Sequence, residues 1–510
     1  MTTAGGALPR RETLDRRRTR RLPFAPLAAR VLRGVLERVG SCAPLLALTS
    51  LLVLACRDQT LSTAPPFDQF YFPAGLALRH VPSGCVGGSA GCQTQLFVVS
   101  TNFDLRYDTA LGGTLISVDV GQALAAAVAP GAPSPVPIVP LGAVRIGSFG
   151  GEVTLVDDAT CAGWSGAQAL VTSRSLKTLY RVDVDDQGAL SCGAQCAVPL
   201  DQTLGDPYGI TVACGNFSGA ARSLAFVTYL RAPNGEGWLT QLDLQAADAA
   251  GLPTSPTSQI DVGLAPTGQA AFDAARARLY VTSRYVNPVY EPLRWLDLGS
   301  PGLAASAINL ASTVPGADLR GIALSSDGTR AYVALRIYDT VAATTLGGRP
   351  TTDLAGALAV VDISEQASGG PVANVLRLVP LDRGATEVRV IPRQPAVAGG
   401  QAPRDLVAVT SADDSTLTLY DDETGTIANT YALCGSVPGT GDPSAPPPCD
   451  PGNPLLGVQP FGLAVEPMAA GAVRLYVGSF DRGWVNVIQL DGAHPDVPPV
   501  SWVRVGPERQ

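Results

Sequence analysis

The sequence predicts an all-β protein, a seven-bladed β-propeller in which each blade is a four-stranded antiparallel sheet. The chain of 510 residues contains 55 Gly and 42 Pro, a composition that favours many turns over long helices. A run of β-forming residues recurs seven times, at intervals of about 60 residues. Each run is followed by an apolar strand that closes on an acidic residue. Radial repetition of small sheets is the arrangement of a β-propeller.

The first, innermost strand of several units opens with Pro-x-Gly. Proline lacks the N–H group that a β-ladder needs, so it suits the entrance of a strand. Glycine lets backbones approach closely, as inner strands must do near the propeller axis. The motif occurs at Pro73–Gly75, Pro207–Gly209, Pro266–Gly268 and Pro460–Gly462, and the units that contain Glu152, Leu319 and Glu387 depart from it.

The second and third strands are the most regular elements of the repeat. The predicted second strands are 96–100, 169–173, 224–228, 279–283, 331–335, 407–411 and 475–479. The predicted third strands end on Asp119, Asp183, Asp243, Asp297, Asp362, Asp421 and Asp491. Because aspartate at a strand end accepts N–H groups of the following turn, we predict a structural role for these residues rather than a catalytic ring.

A fourth, outer strand is visible at 259–263, 375–379 and 502–506. The repeat therefore begins with an inner strand and ends with an outer one, so each blade is built from contiguous sequence. We expect the ring to close by packing of blade seven against blade one, without a shared strand.

Two units carry a recognisable family signature. The segment Val262–Gly268 followed by Arg278–Thr282, and the segment Gly321–Gly328 followed by Arg330–Val333, resemble the YVTN-type (lactonase-like) propeller repeat. The first unit, with Asn102–Asp108 after its second strand, resembles propeller lipoproteins of delta-proteobacterial type. The resemblance implies a seven-bladed propeller, and it implies little about function because the family includes lactonase-like enzymes and surface antigens.

The N-terminal region reads as an export signal. Ten arginines and three acids precede an uncharged apolar run, 43–55, that is too short for a membrane span. The run ends at Cys56 and resembles a bacterial lipobox, which implies cleavage before Cys56 and lipidation of its thiol. The alternatives are an ordinary signal peptide and an uncleaved anchor.

These features predict three regions. Residues 1–55 form the signal segment that is removed, residues 56–66 form a lipidated tether, and residues 67–507 form the propeller. The membrane is then a partner through the N-terminal lipid. Since Asp does not follow Cys56, we expect placement at the outer membrane.

Eight further cysteines are predicted to form disulfides, because their number is even and the chain is exported. Local pairs are favoured for Cys85 with Cys92 and for Cys434 with Cys449. Cys161 and Cys214 follow adjacent inner strands and are expected to pair, which leaves Cys192 with Cys196. Metal binding at Cys192 and Cys196 is the alternative.

Composition excludes several functions. The net charge of −8 argues against a nucleic-acid partner. Two histidines make a multi-histidine zinc site untenable, and the sequence contains no Walker A or dinucleotide motif. We therefore predict no metal and no cofactor.

Loops between second and third strands are rich in Arg, Asp and aromatic residues and share a face with the entrances of the inner strands. Arginine binds carboxylate and phosphate, and aromatic residues anchor interfaces. The alternative is a set of salt bridges between blades. The predicted binding residues are Asp104, Arg106, Tyr107, Arg231, Arg284, Tyr285, Arg336, Arg482 and Trp484.

The sequence favours a lipid-anchored binding or scaffold module of the cell envelope, with an envelope protein or carbohydrate as partner. The alternative is a lactonase-like or other hydrolase with its site in the axial funnel. Glu152 and Glu387, near inner strands, are the carboxyl groups that such an enzyme would use. No catalytic residue is assigned, and a non-enzymatic role is favoured.

Overall fold

Seven antiparallel blades, each four strands wide, are arranged around a central axis, and the predicted propeller is confirmed; in blade 2 two short strands share the outer position. The computed structural model describes residues 63–128, 135–193, 196–231, 233–245, 258–284, 292–300, 302–309, 317–337, 355–367, 369–393, 404–434 and 457–507. Within these ranges no helix is long and apolar enough to cross a membrane.

The first four blades follow one another in chain order. Blade 1 contains β1 (Pro73–Val81), β2 (Gln93–Ser100), β3 (Gly113–Asp119) and β4 (Pro140–Ile146), with helix α1 (Val120–Ala127) after β3. Blade 2 contains β5 (Gly150–Val156), β6 (Ala167–Ser173), β7 (Thr178–Val184), β8 (Leu190–Ser191) and β9 (Ala197–Pro199), with β8 and β9 both paired to β7. Blade 3 contains β10 (Gly205–Phe217), β11 (Ala220–Arg231), β12 (Glu236–Asp243) and β13 (Ser258–Leu264). Blade 4 contains β14 (Thr267–Asp273), β15 (Arg278–Ser283), β16 (Pro292–Asp297) and β17 (Ala305–Asn309).

The last three blades repeat the same order. Blade 5 contains β18 (Ala317–Leu324), β19 (Arg330–Ile337), β20 (Ala355–Asp362) and β21 (Asn374–Leu381). Blade 6 contains β22 (Ala385–Ile391), β23 (Leu406–Ser411), β24 (Thr416–Asp421) and β25 (Thr426–Ala432). Blade 7 contains β26 (Pro460–Pro467), β27 (Ala472–Ser479), β28 (Trp484–Asp491) and β29 (Ser501–Val505).

Every inner strand has a β-bulge close to its entrance. The register between first and second strands shifts at residues 73–75, 150–153, 207–210, 267–270, 319–322, 385–388 and 460–463. A bulge leaves a residue outside the ladder and redirects its side chain. The Pro-x-Gly motif of the sequence therefore marks a bulge at the entrance of the strand.

Glycines at these bulges let neighbouring inner strands approach each other. A Cβ on Gly151 of blade 2 would lie 2.4 Å from the carbonyl oxygen of Tyr208 in blade 3. A Cβ on Gly321 of blade 5 would lie 2.6 Å from the carbonyl oxygen of Thr386 in blade 6. The close approach expected from the sequence is confirmed, and a side chain at these positions would push two blades apart.

A threonine near the end of the second strand links successive blades. The hydroxyl groups of Thr172, Thr228 and Thr282 donate to main-chain carbonyls at the bulge of the next blade, at 2.6, 2.5 and 2.8 Å. The acceptors are Tyr208, Gly268 and Arg320, respectively. Four copies of the second strand carry Val-Thr at the same place, and three of them make this contact.

The strand-end aspartates act in turns, as predicted. The Oδ1 atoms of six of the seven accept a backbone N–H two or three residues later, at 2.9–3.0 Å: Asp119, Asp243, Asp297, Asp362, Asp421 and Asp491. The seventh, Asp183, accepts instead from the side chain of Gln168 at 2.9 Å.

The ring closes between blades 7 and 1 without a shared strand, because β1–β4 and β26–β29 each form a complete sheet. One contact goes beyond the packing expected from the sequence. Val136, in the connection before β4, donates its N–H to the carbonyl of Arg504 and accepts from the N–H of Gly506, both at 2.8 Å. A short segment of blade 1 therefore borders the outermost strand of blade 7.

A buried polar cluster also lies at this junction. Glu466 on β26 is fully buried. Its carboxylate accepts from Thr94 and His80 of blade 1, at 2.5 and 3.1 Å, and from Tyr476 and Arg474 of blade 7, at 2.5 and 3.0 Å. These hydrogen bonds and the charge of Arg474 outweigh burial and lower the pKa of Glu466 to about 2.

Disulfides are confirmed, and they join Cys85 to Cys92, Cys161 to Cys214, and Cys192 to Cys196. The bond between Cys161 and Cys214 connects blade 2 to blade 3. Cys434 is also disulfide-bonded, and its predicted partner Cys449 lies outside the described residues, as does Cys56.

Candidate functional site

The bulges place a set of polar and aromatic side chains around the propeller axis. The bulged segments contain Ala74, Glu152, Tyr208, Gln269, Arg320, Glu387 and Phe461. All seven line one of two cavities on the axis. We call the face with the loops between second and third strands the upper face, and the opposite face the lower face.

Three of these side chains form a bridge across the axis. The Nε2 group of Gln269 donates one hydrogen bond to Oε1 of Glu152 and one to Oε1 of Glu387. The orientation of the amide is fixed, because its Oε1 accepts from the N–H of Ile322 at 3.3 Å. Blades 2, 4 and 6, which are not neighbours, are thus connected through one amide group.

The two carboxyl groups differ in their other contacts. Oε2 of Glu152 accepts from the N–H of Ile210 at 3.1 Å. Oε2 of Glu387 lies 3.3 Å from Nη1 of Arg389 but has no hydrogen-bond donor among the described residues. The Glu387 side chain therefore has unused acceptor capacity in a buried position.

Burial, and for Glu152 also the nearby charge of Glu387, raises the pKa of these two carboxyl groups. Burial raises the pKa of Glu152 to about 8, and the nearby charge of Glu387 contributes to this rise. Burial also raises the pKa of Glu387, although Arg389 and Gln269 oppose the effect. Glu152 is therefore protonated at neutral pH, and Glu387 is the member of the pair that lies 3.3 Å from Arg389.

The upper cavity lies above this bridge and has a volume of about 230 Å³. Its wall combines guanidinium groups with aromatic rings. It is lined by Arg174, Arg284, Arg320, Tyr208, Gln269, Glu387, Phe103, Phe149, Phe461, Phe480 and smaller residues. Burial raises the pKa of the Tyr208 hydroxyl, and the charges of Glu387 and Glu152 add to this rise, so Tyr208 acts as a neutral phenol there.

The cations at this cavity are paired with carboxylates, those of Arg174 and Arg284 with a carboxylate of the next blade and that of Arg320 with one on its own strand. Asp318 lies 3.5 Å from Nε of Arg284 and 2.6 Å from Nη2 of Arg320. Arg174 lies 3.5 Å from Asp206 and also over the ring of Phe149, with 5.7 Å from Cζ to the ring centroid.

The aromatic rings form a continuous cluster at the mouth of the cavity. Phe480 packs against Phe72, Phe103 and Phe461, with ring centroids 4.9, 5.4 and 5.0 Å apart. Phe103 also contacts Phe149, at 5.9 Å. Offset and edge-on packing of this kind holds the rings in defined positions.

The lower cavity has a volume of about 460 Å³ and lies on the other side of the bridge. Most of its lining residues are aliphatic, but polar atoms provide most of the surface that faces the cavity, and Glu152, Gln269 and Arg389 are its polar side chains at the axis. Gln269 borders both cavities, so the bridge separates the two ends of the axial channel.

The predicted binding residues that the structure describes are dispersed and do not form one site. Arg284 is the member of that set that lines the upper cavity. Asp104 and Arg106 form an exposed ion pair at 3.6 Å, and Tyr107 packs edge-on against Tyr71. Arg231 is 81% exposed and lies 3.2 Å from Asp206.

Arg336 and Arg482 do not line the upper cavity. Arg336 donates to Thr386 at 3.0 Å and lies 3.9 Å from Asp413 of the next blade. Arg482 is half-buried in the turn between β27 and β28. Arg284 and Arg336 each pair with an aspartate of the next blade. For these two residues the alternative from the sequence, a salt bridge between blades, therefore applies.

Trp484 is not part of an exposed rim. Its side chain is 1% exposed, and Arg504 lies over its ring at 5.0 Å. The sequence pattern places this residue in an exposed loop, but it is the first residue of β28 and its side chain packs in the core. Tyr285 lies outside the described residues.

Sequence reasoning missed Tyr208, Gln269 and Arg320. The signal was present, since Tyr208 is the middle residue of a Pro-x-Gly motif and Gln269 and Arg320 each adjoin a motif glycine. The sequence alone does not show that this motif forms a bulge, which turns the side chain beside the glycine toward the axis. Among the described residues no group of three or more His, Cys, Asp or Glu could hold a metal ion.

Comparisons with known proteins do not assign this chain to a family. No family model matches the chain, and no curated protein matches its sequence. The solved structures that it resembles include the β-propeller domain of Cps50 (Swd1) from Myceliophteria thermophila, at 9% identity and a TM-score of 0.39, which covers 70% of this chain and 90% of that one. The Dos1 propeller has 10% identity and a TM-score of 0.43, with coverage of 83% and 95%.

A third similar structure is PpgL, a periplasmic gluconolactonase of Pseudomonas aeruginosa. It has 16% identity and a TM-score of 0.38, with coverage of 70% of this chain and 95% of that one. Likeness at this level concerns architecture alone. The function has to be argued from the axial site.

Proposed function

We propose that this protein is a lipid-anchored propeller of the cell envelope that binds a small anionic ligand in its upper cavity. The observation that carries the proposal is the composition of the cavity wall. Three guanidinium groups, those of Arg174, Arg284 and Arg320, share about 230 Å³ with an aromatic cluster. Guanidinium groups bind carboxylate or phosphate, and aromatic rings cover the apolar face of a ligand.

The floor of the cavity adds a second requirement. Oε2 of Glu387 is buried and has no hydrogen-bond donor among the described residues. A ligand hydroxyl or ammonium group would supply that donor and remove the free-energy penalty of a buried acceptor without a hydrogen bond. The favoured ligand is therefore a small acid that also carries a hydrogen-bond donor, a description that includes acidic carbohydrates.

Calorimetric titration with sugar acids, sugar phosphates and the corresponding neutral sugars tests this proposal. We expect the acids to bind, and we expect Arg174→Ala or Glu387→Gln to weaken binding by about 10- to 100-fold, the equivalent of one hydrogen bond to a charged group. Arg222→Ala, which removes an exposed arginine far from the cavity, serves as the matched control. Equal binding of neutral sugars, unaffected by Arg174→Ala, would refute the proposal.

The anchor is tested separately. The apolar run before Cys56 and the disulfides of the propeller support export to an oxidising compartment. Mass spectrometry of the N-terminal peptide from the full chain, expressed in a bacterium, should show a diacylglyceryl cysteine. The Cys56→Ser variant should lack the modification and leave the membrane fraction. An envelope protein as partner stays a prediction.

A hydrolase is the second candidate function, and the Glu152–Gln269–Glu387 bridge favours it. Two buried carboxyl groups in different surroundings can act as acid and base. Protonated Glu152 would donate a proton to a leaving oxygen while ionised Glu387 would activate water. Hydrolysis of lactones or esters that is lost in both Glu152→Gln and Glu387→Gln, but kept in Glu236→Gln, would establish this role. Binding without turnover would exclude it.

A further inference from the structure

The N-terminal tether reaches the propeller on its upper face. The carbonyl of Thr63, the first described residue, accepts the N–H of Asp108 at 3.3 Å. Asp108 belongs to residues 101–112, the loop between β2 and β3, which we call the blade-1 loop. Six residues lie between Cys56 and Thr63, so the seven residue-to-residue steps of an extended chain span at most about 25 Å. A lipid on Cys56 thus keeps this loop within that distance of the bilayer.

The blade-1 loop exposes large apolar side chains. Phe103, Leu105 and Leu111 are 52, 42 and 44% exposed. Leu176, at 37%, lies in the adjoining loop of blade 2. Hydrogen bonds join the two loops, because the N–H of Ser148 donates to Ala110 at 3.2 Å and the N–H of Ser175 donates to Ser148 at 3.3 Å.

The loop holds these side chains in a fixed conformation. The side chain of Asn102 donates to the carbonyl of Asp108 at 3.2 Å and to Oγ of Ser148 at 2.9 Å, and accepts from the N–H of Tyr107 at 3.2 Å. The N–H of Phe149 donates to the carbonyl of Thr101 at 2.6 Å. A rigid loop that exposes apolar residues loses little conformational entropy when it enters an apolar phase.

We infer that the upper face of the propeller lies against the lipid bilayer, with Phe103, Leu105 and Leu111 entering its interfacial region. The inference rests on the proposed anchor at Cys56. Arg106, at 48% side-chain exposure, and Arg231, at 81%, lie on the same face, where their guanidinium groups meet phosphate headgroups. The upper cavity then opens toward the membrane.

Depth-dependent fluorescence quenching tests this orientation. The seven sheets lie within Pro73–Val505, so a chain that begins at residue 56 keeps every strand. This chain, with Cys56→Ser and an N-terminal hexahistidine, is attached to vesicles of phosphatidylcholine and a nickel-chelating lipid. Leu105→Trp and Leu111→Trp are made separately, and Val497→Trp, exposed in the turn between β28 and β29 on the lower face, is the matched control.

Bromine atoms placed just below the headgroups should quench the new tryptophan at position 105 or 111 beyond the level of the parent chain. The tryptophan at 497 should not be quenched beyond that level. Quenching at 497 equal to that at 105 and 111, or none at any position, would overturn the inference. Because the artificial anchor replaces the lipid, such a failure differs from failure to find lipid on Cys56, and thermal unfolding confirms that each variant is folded.

Discussion

At the scale of single residues, the axial bridge shows how three side chains from different blades create one chemical environment. Glu152 and Glu387 are 235 positions apart, and neither has a second carboxylate nearby on its own strand. Gln269 brings them together because one amide nitrogen has two hydrogens to donate. The chemistry of the site therefore depends on the ring having closed.

The raised pKa of Glu152 predicts a specific dependence of stability on pH. The carboxyl group has an ordinary pKa of 4.5 in the unfolded chain and a pKa of about 8 in the folded protein. Between these values the folded state binds the proton more tightly, so the free energy of unfolding should fall as pH rises from about 5 to 8. Urea unfolding across this range measures the fall. A pKa difference of one unit corresponds to about 1.4 kcal/mol.

The Glu152→Gln variant should have a flatter pH profile, because it lacks the titrating group. Glu236→Gln, which alters a carboxyl group outside the channel, should keep the slope of the parent. A parent whose stability rises between pH 5 and 8 would contradict the assignment of the proton to Glu152.

At the scale of elements, the second strand fixes the distance between blades. Thr228 accepts the N–H of Gly209 at 2.9 Å and donates to the carbonyl of Gly268 in the next blade. Replacement by valine keeps the shape of the side chain and removes both hydrogen bonds. We expect Thr228→Val to lower the free energy of unfolding by about 1–3 kcal/mol, since buried polar groups are left without partners. Thr424→Val, at an exposed turn, should change it little, and equal effects of both variants in chemical denaturation would refute this role.

The inner-strand glycines make a second prediction at this scale. Gly151→Ala would place a methyl group 2.4 Å from both the Tyr208 carbonyl and Oγ1 of Thr172. Overpacking of this kind costs about 1–3 kcal/mol. Gly302→Ala is the matched control, because nothing lies within 4 Å of its Cβ position. Thermal unfolding should separate the two variants, and a stable Gly151→Ala would show that the blades can move apart.

The sequence predicted elements better than it predicted the site, and the reason is physical. Strand number, blade order and turn aspartates follow from local patterns that recur from blade to blade, and the disulfides follow from the number and spacing of the cysteines. Trp484 and Gln269 show the limit of such patterns. A loop position does not say whether a side chain faces solvent, and a strand position does not say that a bulge turns it toward the axis.

At the scale of the whole molecule, stability depends on the junction between first and last blades. Glu466 joins them through His80 and Thr94 and compensates the charge of Arg474. Glu466→Ala should lower the free energy of unfolding by about 3–5 kcal/mol, because it leaves a buried guanidinium uncompensated. Glu236→Ala is the control in the same urea titration.

The lowered pKa of Glu466 adds a pH criterion to this test. Its contribution is complete above the unfolded pKa of about 4.5 and is lost as pH falls toward 2. The difference between the parent and Glu466→Ala should therefore shrink in acid. A constant difference from pH 7 to pH 3 would assign the effect to packing.

The bulges affect which substitutions such a protein can accept during evolution. Each bulged residue lies outside the hydrogen-bond ladder, so its identity is not constrained by pairing. Seven such positions surround one axis, and here they hold residues as different as Ala74, Tyr208 and Phe461. Substitution at any of them alters the lining of the channel while the blades stay as they are. The fold can therefore stay the same while the ligand specificity changes, by substitution of one bulged residue at a time.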